Sequence, residues 1–295
     1  MKAKIHRLAA LLLSAFSLQP LGFVQAATTI DPANRYAYAA NFGWMDWRGD
    51  VNNGAVIGEY VCSGYIYAAN VGWINLGGGN PSNGIRYQNN SASDYGLNHD
   101  GLGNLRGYAY GANIGWVNFE STGAPKVELK TGRFTGYAYS ANCGWISLSN
   151  AQAVVQTDVI RPGADSDDDG IADAWERLKF GNLAAANATT DEDHDGVSDL
   201  SEYLTDTDPL DPTSNLRITF YAINAGGSPA IATWTSTQTR CYRLWRTTEV
   251  APTLWTQVGS GFISPDVGSA TTRIFDDLAA PQQFYRIEAV RPLTP

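Results

Sequence analysis

Residues 135–148 read "TGYAYSANCGWISL". Nearly the same words stand at 107–119 ("GYAYGANIGWVNF"), at 64–76 ("GYIYAANVGWINL") and, frayed, at 36–47 ("YAYAANFGWMDW"). In Tyr137-Ala138-Tyr139 the two tyrosines share one face of a strand, because strand side chains alternate with period two. Asn142-Cys143-Gly144 then supplies turn chemistry: Asn bonds its own backbone and Gly accepts a positive φ. "WISL" resumes an alternating strand. Each repeat is therefore expected to be a strand, a tight turn and a second strand.

The spacing groups the repeats. Trp44, Trp73, Trp116 and Trp145 are separated by 29, 43 and 29 residues, so the middle step carries 14 extra. The extra residues fall within the polar, turn-rich stretch 77–105, "GGGNPSNGIRYQNNSASDYGLNHDGLGNL". Steps near 30 residues predict units that bury each other's faces. The register also places two cysteines. Phe42, Val71, Ile114 and Cys143 occupy the same slot, and Cys62 matches Phe134. Both cysteines read as small buried hydrophobes. A Cys62–Cys143 bridge stays open, since spacing does not supply its geometry. The three Cys cannot all pair within one chain.

The first 26 residues form an expected secretory leader: basic Lys2, Lys4 and Arg7, an apolar run Leu8 to Leu18, and small residues before a cut after Ala26. That run is shorter than the ~20 residues a membrane span needs. No second such run follows, so the mature chain is expected to be secreted, extracellular or at the cell surface, without a transmembrane segment. Losing three bases takes the formal charge from −9 to −12. Nucleic acid is thereby a poor partner, because phosphate binding needs clustered Lys and Arg. Removing 26 of 295 residues leaves 269, enough for two ordinary domains. The 30 Gly, 9 Trp, 15 Tyr and 10 Phe suit tight turns and aromatic-rich strands.

Three compositions follow one another: repeats over 27–156, an acidic segment over 157–215, and an alternating segment over 216–295. Arg161 to Asn215 holds 15 of the 29 Asp and Glu. Within it stand "DSDDDGIADAWE" (165–176) and "DEDHDGVSDLSE" (191–202). Either fits a twelve-residue calcium loop, which asks for oxygens at positions 1, 3, 5, 7 (a backbone carbonyl) and 9, Gly at 6 and Glu at 12. Asp165, Asp167, Asp169, Ile171, Asp173 and Glu176 fill the first, around Gly170. Asp191, Asp193, Asp195, Val197, Asp199 and Glu202 fill the second, around Gly196. A solvated acidic linker would not place Gly and Glu correctly twice. Two Ca²⁺ sites are expected. A short helix should follow each loop, near 173–180 with Gly181 as its stop and near 199–204. Asp206, Asp208 or Asp211 of "TDTDPLDP" is a further candidate donor to a neighbouring ion.

These loops resemble the thrombospondin type 3 and dockerin-like loops of secreted proteins, over about 50 residues. The resemblance implies a structural ion that orders a connector. The last 80 residues offer six strand candidates, and "DDLAAPQQFYRIEAV" (276–290) resembles the late corner of a fibronectin type III-like domain. Repeats similar to "GYAY…N.GWI" occur in bacterial exported proteins, where they imply no activity.

Other signals carry less. His99 sits beside an Asp100-Gly101 hairpin turn, and Arg48-Gly49-Asp50 is most simply a turn. No G-x-S-x-G or HExxH motif is present. Asp46, Glu59, Asp94, Asp100, Glu120 and Glu128 stand in no glycosidase-like pair motif. The repeat aromatics invite a sugar-binding reading, but the fixed Trp followed by an alternating apolar pattern favours a core role. The expected protein is mainly β: an all-β domain of four hairpin repeats, a short helical calcium connector and a fibronectin type III-like sandwich. Its expected role is structural or interactive, without catalysis, toward a surface or matrix protein or polysaccharide. The alternatives are a carbohydrate-binding protein using the repeat aromatics and, behind it, a secreted glycoside hydrolase.

Overall fold

A computed structural model describes residues 28–50, 52–223, 229–249, 254–276 and 282–294. The expected leader, and Leu278 and Pro281 of the expected corner, lie outside these. The fold is mainly β, with two short helices between two β-rich parts.

The four repeats are four antiparallel hairpins. They are β1 (Ile30–Ala39) with β2 (Gly43–Asp46), β3 (Cys62–Ala68) with β4 (Gly72–Gly78), β5 (Leu105–Gly111) with β6 (Gly115–Asn118), and β7 (Tyr137–Ser140) with β8 (Gly144–Ser147). The register is the same in each: Tyr38, Tyr67, Tyr110 and Tyr139 lie opposite Trp44, Trp73, Trp116 and Trp145. Neighbouring hairpins pair, and β8 pairs back to β1 through Tyr38↔Ser147 and Ala39↔Ile146. The result is a closed eight-stranded barrel, which leaves the eight strands no free edge.

Its interior is filled in layers to which every hairpin contributes. Ala37, Ile66, Ala109 and Ala138 face Met45, Ile74, Val117 and Ile146, all buried. Trp47, Leu76, Phe119 and Leu148 fill the layer below. Phe42, Val71, Ile114 and the half-buried Cys143 close the turn end. Alternating small and large groups suit an eight-stranded barrel, whose interior is just wide enough for side chains.

The aromatic face is reversed from expectation. The four motif tryptophans are 43–49% exposed and stand on the outside of the barrel. Each is held edge-on or tilted by the two tyrosines of its own hairpin, as with Tyr137 and Tyr139 around Trp145 at 6.2 and 5.0 Å. Period two explains this. Within the motif, the residues between the tyrosines and just after the tryptophan form the inward set, and the motif tyrosines and tryptophan form the outward one.

The motif asparagine links one hairpin to the next. Asn41, Asn70, Asn113 and Asn142 donate through Nδ2 to the carbonyls of Cys143, Phe42, Val71 and Ile114, at 2.8–3.1 Å. Each bond reaches the preceding hairpin's turn, and the first reaches the last, so the ring closes. The glycine before the Tyr strand is also explained. Gly136 has φ +80°, and a Cβ there would lie 2.2 Å from the Ala124 carbonyl, an approach only Gly allows.

The last part is a sandwich of two three-stranded sheets. One has the order β9 (Ile218–Ile223), β10 (Ala230–Thr235), β13 (Ala270–Phe275); the other β12 (Thr256–Gln257), β11 (Cys241–Thr247), β14 (Phe284–Val290). Ala232 and Trp234 of the first pack with Tyr242, Ile287 and Ala289 of the second.

Between the barrel and the sandwich lie α1 (Asp173–Lys179) and α2 (Asp199–Thr205), close to the expected spans. Gly181 follows α1 at φ +77°. Trp175 of α1 meets Tyr203 of α2 at 5.5 Å, and both pack with Tyr60 from the barrel. The buried Arg240 of the sandwich donates to the Tyr203 and Leu204 carbonyls and pairs with Glu59 of the barrel at 3.0 Å. The connector is thus a small packed layer with contacts on both sides.

Candidate functional site

Both acidic loops fold alike, for a local reason. Asp165 accepts from the backbone N–H groups of Asp169 and Gly170, and Asp169 accepts from that of Ile171. Asp191, Asp195, Gly196 and Val197 repeat the same bonds. The chain turns where Asp168 (φ 60°) and Gly170 (φ 93°), or His194 (φ 64°) and Gly196 (φ 91°), leave the right-handed region. Asp173 and Asp199 open the two helices and reach back to the backbone N–H groups of Ser166 and Glu192. Ile171 is buried beneath the first loop and anchors it on the helix layer; Val197 is half-buried in the second.

The first loop gathers its carboxylates fully. Asp165, Asp167 and Asp169 have oxygens within 4.8 Å of one another, as do Asp167, Asp173 and Glu176. In the second, Asp191, Asp193 and Asp195 cluster by the same measure. Asp199 and Glu202 are buried beside them but outside that cluster. One Glu202 oxygen accepts from the Thr207 hydroxyl at 3.1 Å. Asp206, Asp208 and Asp211 serve elsewhere, bonded to Thr239, Lys179 and Thr213.

The electrostatics are those of an uncompensated cage. Both oxygens of Glu176, and one each of Asp169, Asp193, Asp199 and Glu202, are buried without a hydrogen-bond partner among the described residues. Burial, then repulsion from the loop aspartates, pushes the Glu176 carboxyl up to about 7. Burial raises Glu202 to about 7 as well, against the Thr207 hydrogen bond. Burying ionised groups without a partner is costly. A hard cation taking six to eight oxygens would satisfy such atoms, and the donor set is all oxygen.

Several other acidic residues have partners of their own. Among the described residues, no group of three metal-ligating side chains lies outside these loops. Asp46 pairs with Arg35, Glu59 with Arg240, and Asp94 accepts from Ser82. Arg48-Gly49-Asp50 is a turn, with Asp50 accepting from the Asn52 and Asn53 N–H groups. Cys62, Cys143 and Cys241 are free thiols, and burial pushes Cys62 up to about 12. No helix among the described residues is long and apolar enough to cross a membrane.

The outward aromatic surface is the arrangement the sequence reading ranked second, behind a core role for the repeat aromatics. A cleft of about 470 Å³ opens beside Tyr108 and Trp116, and one of about 210 Å³ beside Tyr139 and Trp145. The signal was present: Asp46, Asn75, Asn118 and Ser147 stand two residues after each Trp, and two residues apart means the same strand face. Compared with known proteins, the chain matches no family model, no curated protein and no solved structure.

Proposed function

We propose that the protein is an exported, non-catalytic scaffold whose connector binds two Ca²⁺ ions. Asp165, Asp167, Asp169, the Ile171 carbonyl, Asp173 and Glu176 form the first site; the corresponding set from Asp191 to Glu202 forms the second. One observation carries the reading: carboxylate oxygens that are buried without a hydrogen-bond partner among the described residues occur in both loops. The ion supplies positive charge that offsets carboxylate repulsion. It thereby holds α1 and α2 in the packed layer between barrel and sandwich. The resemblance to thrombospondin type 3 loops accords with a structural ion. The strand order of the two sandwich sheets accords with the fibronectin-like resemblance.

Thermal unfolding and titration calorimetry test this. At [Ca²⁺] a hundredfold above Kd, one site adds about 2.7 kcal/mol, which raises Tm by several degrees. Glu176→Gln should weaken calcium binding at the first site at least tenfold while the chelated protein still folds. No Tm shift with no calcium heat would falsify the proposal. A second reading, a carbohydrate-binding barrel, is favoured by one observation, the outward exposure of all four motif tryptophans. A surface or matrix polysaccharide would then be its partner.

A further inference from the structure

We propose that the cleft between the 77–96 insertion and the third hairpin binds a neutral saccharide against Trp116. The inference rests on the second reading above and narrows it to one site and one ligand class.

Four outward cassettes are nearly identical, but their covers differ. At the second, Gly49 lies on the tryptophan, and a Cβ on it would sit 2.9 Å from the Trp73 ring. At the fourth, a Cβ on Gly123 would sit 3.2 Å from Trp145. At the third, the longer insertion forms a separate wall of Asn89, Asn90 and Ser91, and the space left is about 470 Å³. That volume lies in the range of small-ligand sites, about 300–1,000 Å³. The fourth cleft is less than half as large and carries Glu120.

The floor is aromatic and held in place. Trp116 is 45% exposed and is met edge-on by Tyr110, Tyr95 and Tyr108 at 4.9, 5.0 and 6.0 Å. Tyr95, contributed by the insertion, accepts from Asn75 Nδ2 at 3.0 Å. Its hydroxyl is thereby fixed with a donor to spare. Asn89 braces the wall: its Oδ1 accepts from the Gly96 N–H at 3.0 Å. Asn90 is exposed, and its amide has no hydrogen-bond partner among the described residues. It presents two donors and an acceptor to the cleft.

The ligand class follows from what lines the cleft. It has no carboxylate to select a cation and no Lys or Arg to select an anion. A ring with an apolar C–H face and hydroxyls at its rim matches an aromatic floor beside an amide and hydroxyl wall. A neutral sugar has that build. The π-face of an aromatic ring is electron-rich, and sugar C–H groups are weakly positive.

The test uses the full mature chain in calcium. Binding of maltotriose, cellotriose, mannotriose, lactose and chitotriose is followed by tryptophan fluorescence and calorimetry, with polygalacturonate as the acidic probe. At least one neutral probe should bind. Trp116→Ala should weaken it about tenfold or more, and Asn90→Ala severalfold. Trp145→Ala should leave it unchanged. Asn90 is exposed, so its variant reports on the site even if Trp116→Ala folds poorly. If no probe binds, both this site and the carbohydrate reading fall. If a neutral probe binds equally to the Trp116 and Asn90 variants, this site falls and the broader reading stands. If only polygalacturonate binds, the ligand class is wrong.

Discussion

His99 is 1% exposed, with Nδ1 at 3.0 Å from the Gly58 carbonyl and Nε2 without a hydrogen-bond partner among the described residues. Burial pulls its pKa down to about 4, assisted by the Arg86 cation and opposed by Asp100. The folded protein therefore holds the neutral ring. The associated stability is complete above the unfolded pKa of about 6.5 and is lost as pH falls toward 4. The full loss is about 3 kcal/mol by linkage. Denaturant titrations from pH 7 to 4 should show an acid-side fall that His99→Gln flattens; equal slopes in both proteins would refute the assignment. At this scale the two acidic loops were legible from sequence, because the residue at each position is fixed by local chain geometry. Position 6 needs Gly to turn and position 12 needs Glu to reach. The burial of His99 was not legible, because it depends on Gly58, 41 residues away in the chain.

The hairpin element was legible down to its turn. Tyr-x-Tyr, Asn-x-Gly and Trp-x-apolar are local signals, and all four hairpins form where they stand. The face that each strand turns inward was misjudged. Residue size argued for a tryptophan core, whereas the period-two neighbours of each Trp are Asp46, Asn75, Asn118 and Ser147, all polar. In a narrow barrel, the alternate small and aliphatic residues of the motif fill the inside and its own Tyr and Trp rings remain outside, while Trp47 and Phe119 fill the layer below. The motif asparagine acquired a role no single repeat reveals, since its hydrogen bond goes to a different hairpin. Asn70→Ala should cost about 1 kcal/mol, the net value of one such bond. Asn113→Ala should cost about the same, because the ring positions are equivalent. Urea unfolding measures both, and near-zero values would remove the ring as a source of barrel stability.

At the scale of the molecule, Arg240 joins three parts: Glu59 of the barrel, the end of α2, and its own sandwich. Its guanidinium is buried, and removing one partner of a buried pair costs about 3–5 kcal/mol. Arg240→Met should strand Glu59 and loosen the sandwich from the connector. Limited proteolysis near residues 205–216 should then accelerate with the barrel left intact; unchanged cleavage would show that the junction stands without this contact. The sequence by itself determined the hairpin repeat, the short helices and the carboxylate spacing of both acidic loops, because those depend on neighbours within about a dozen residues. Only the tertiary structure decided that the fourth hairpin closes on the first, that the aromatics face solvent, that the insertion stands away from Trp116, and that the connector is packed on both sides. Each of these depends on which surfaces meet at long sequence separation, and burial of whole faces, not local pattern, selects them.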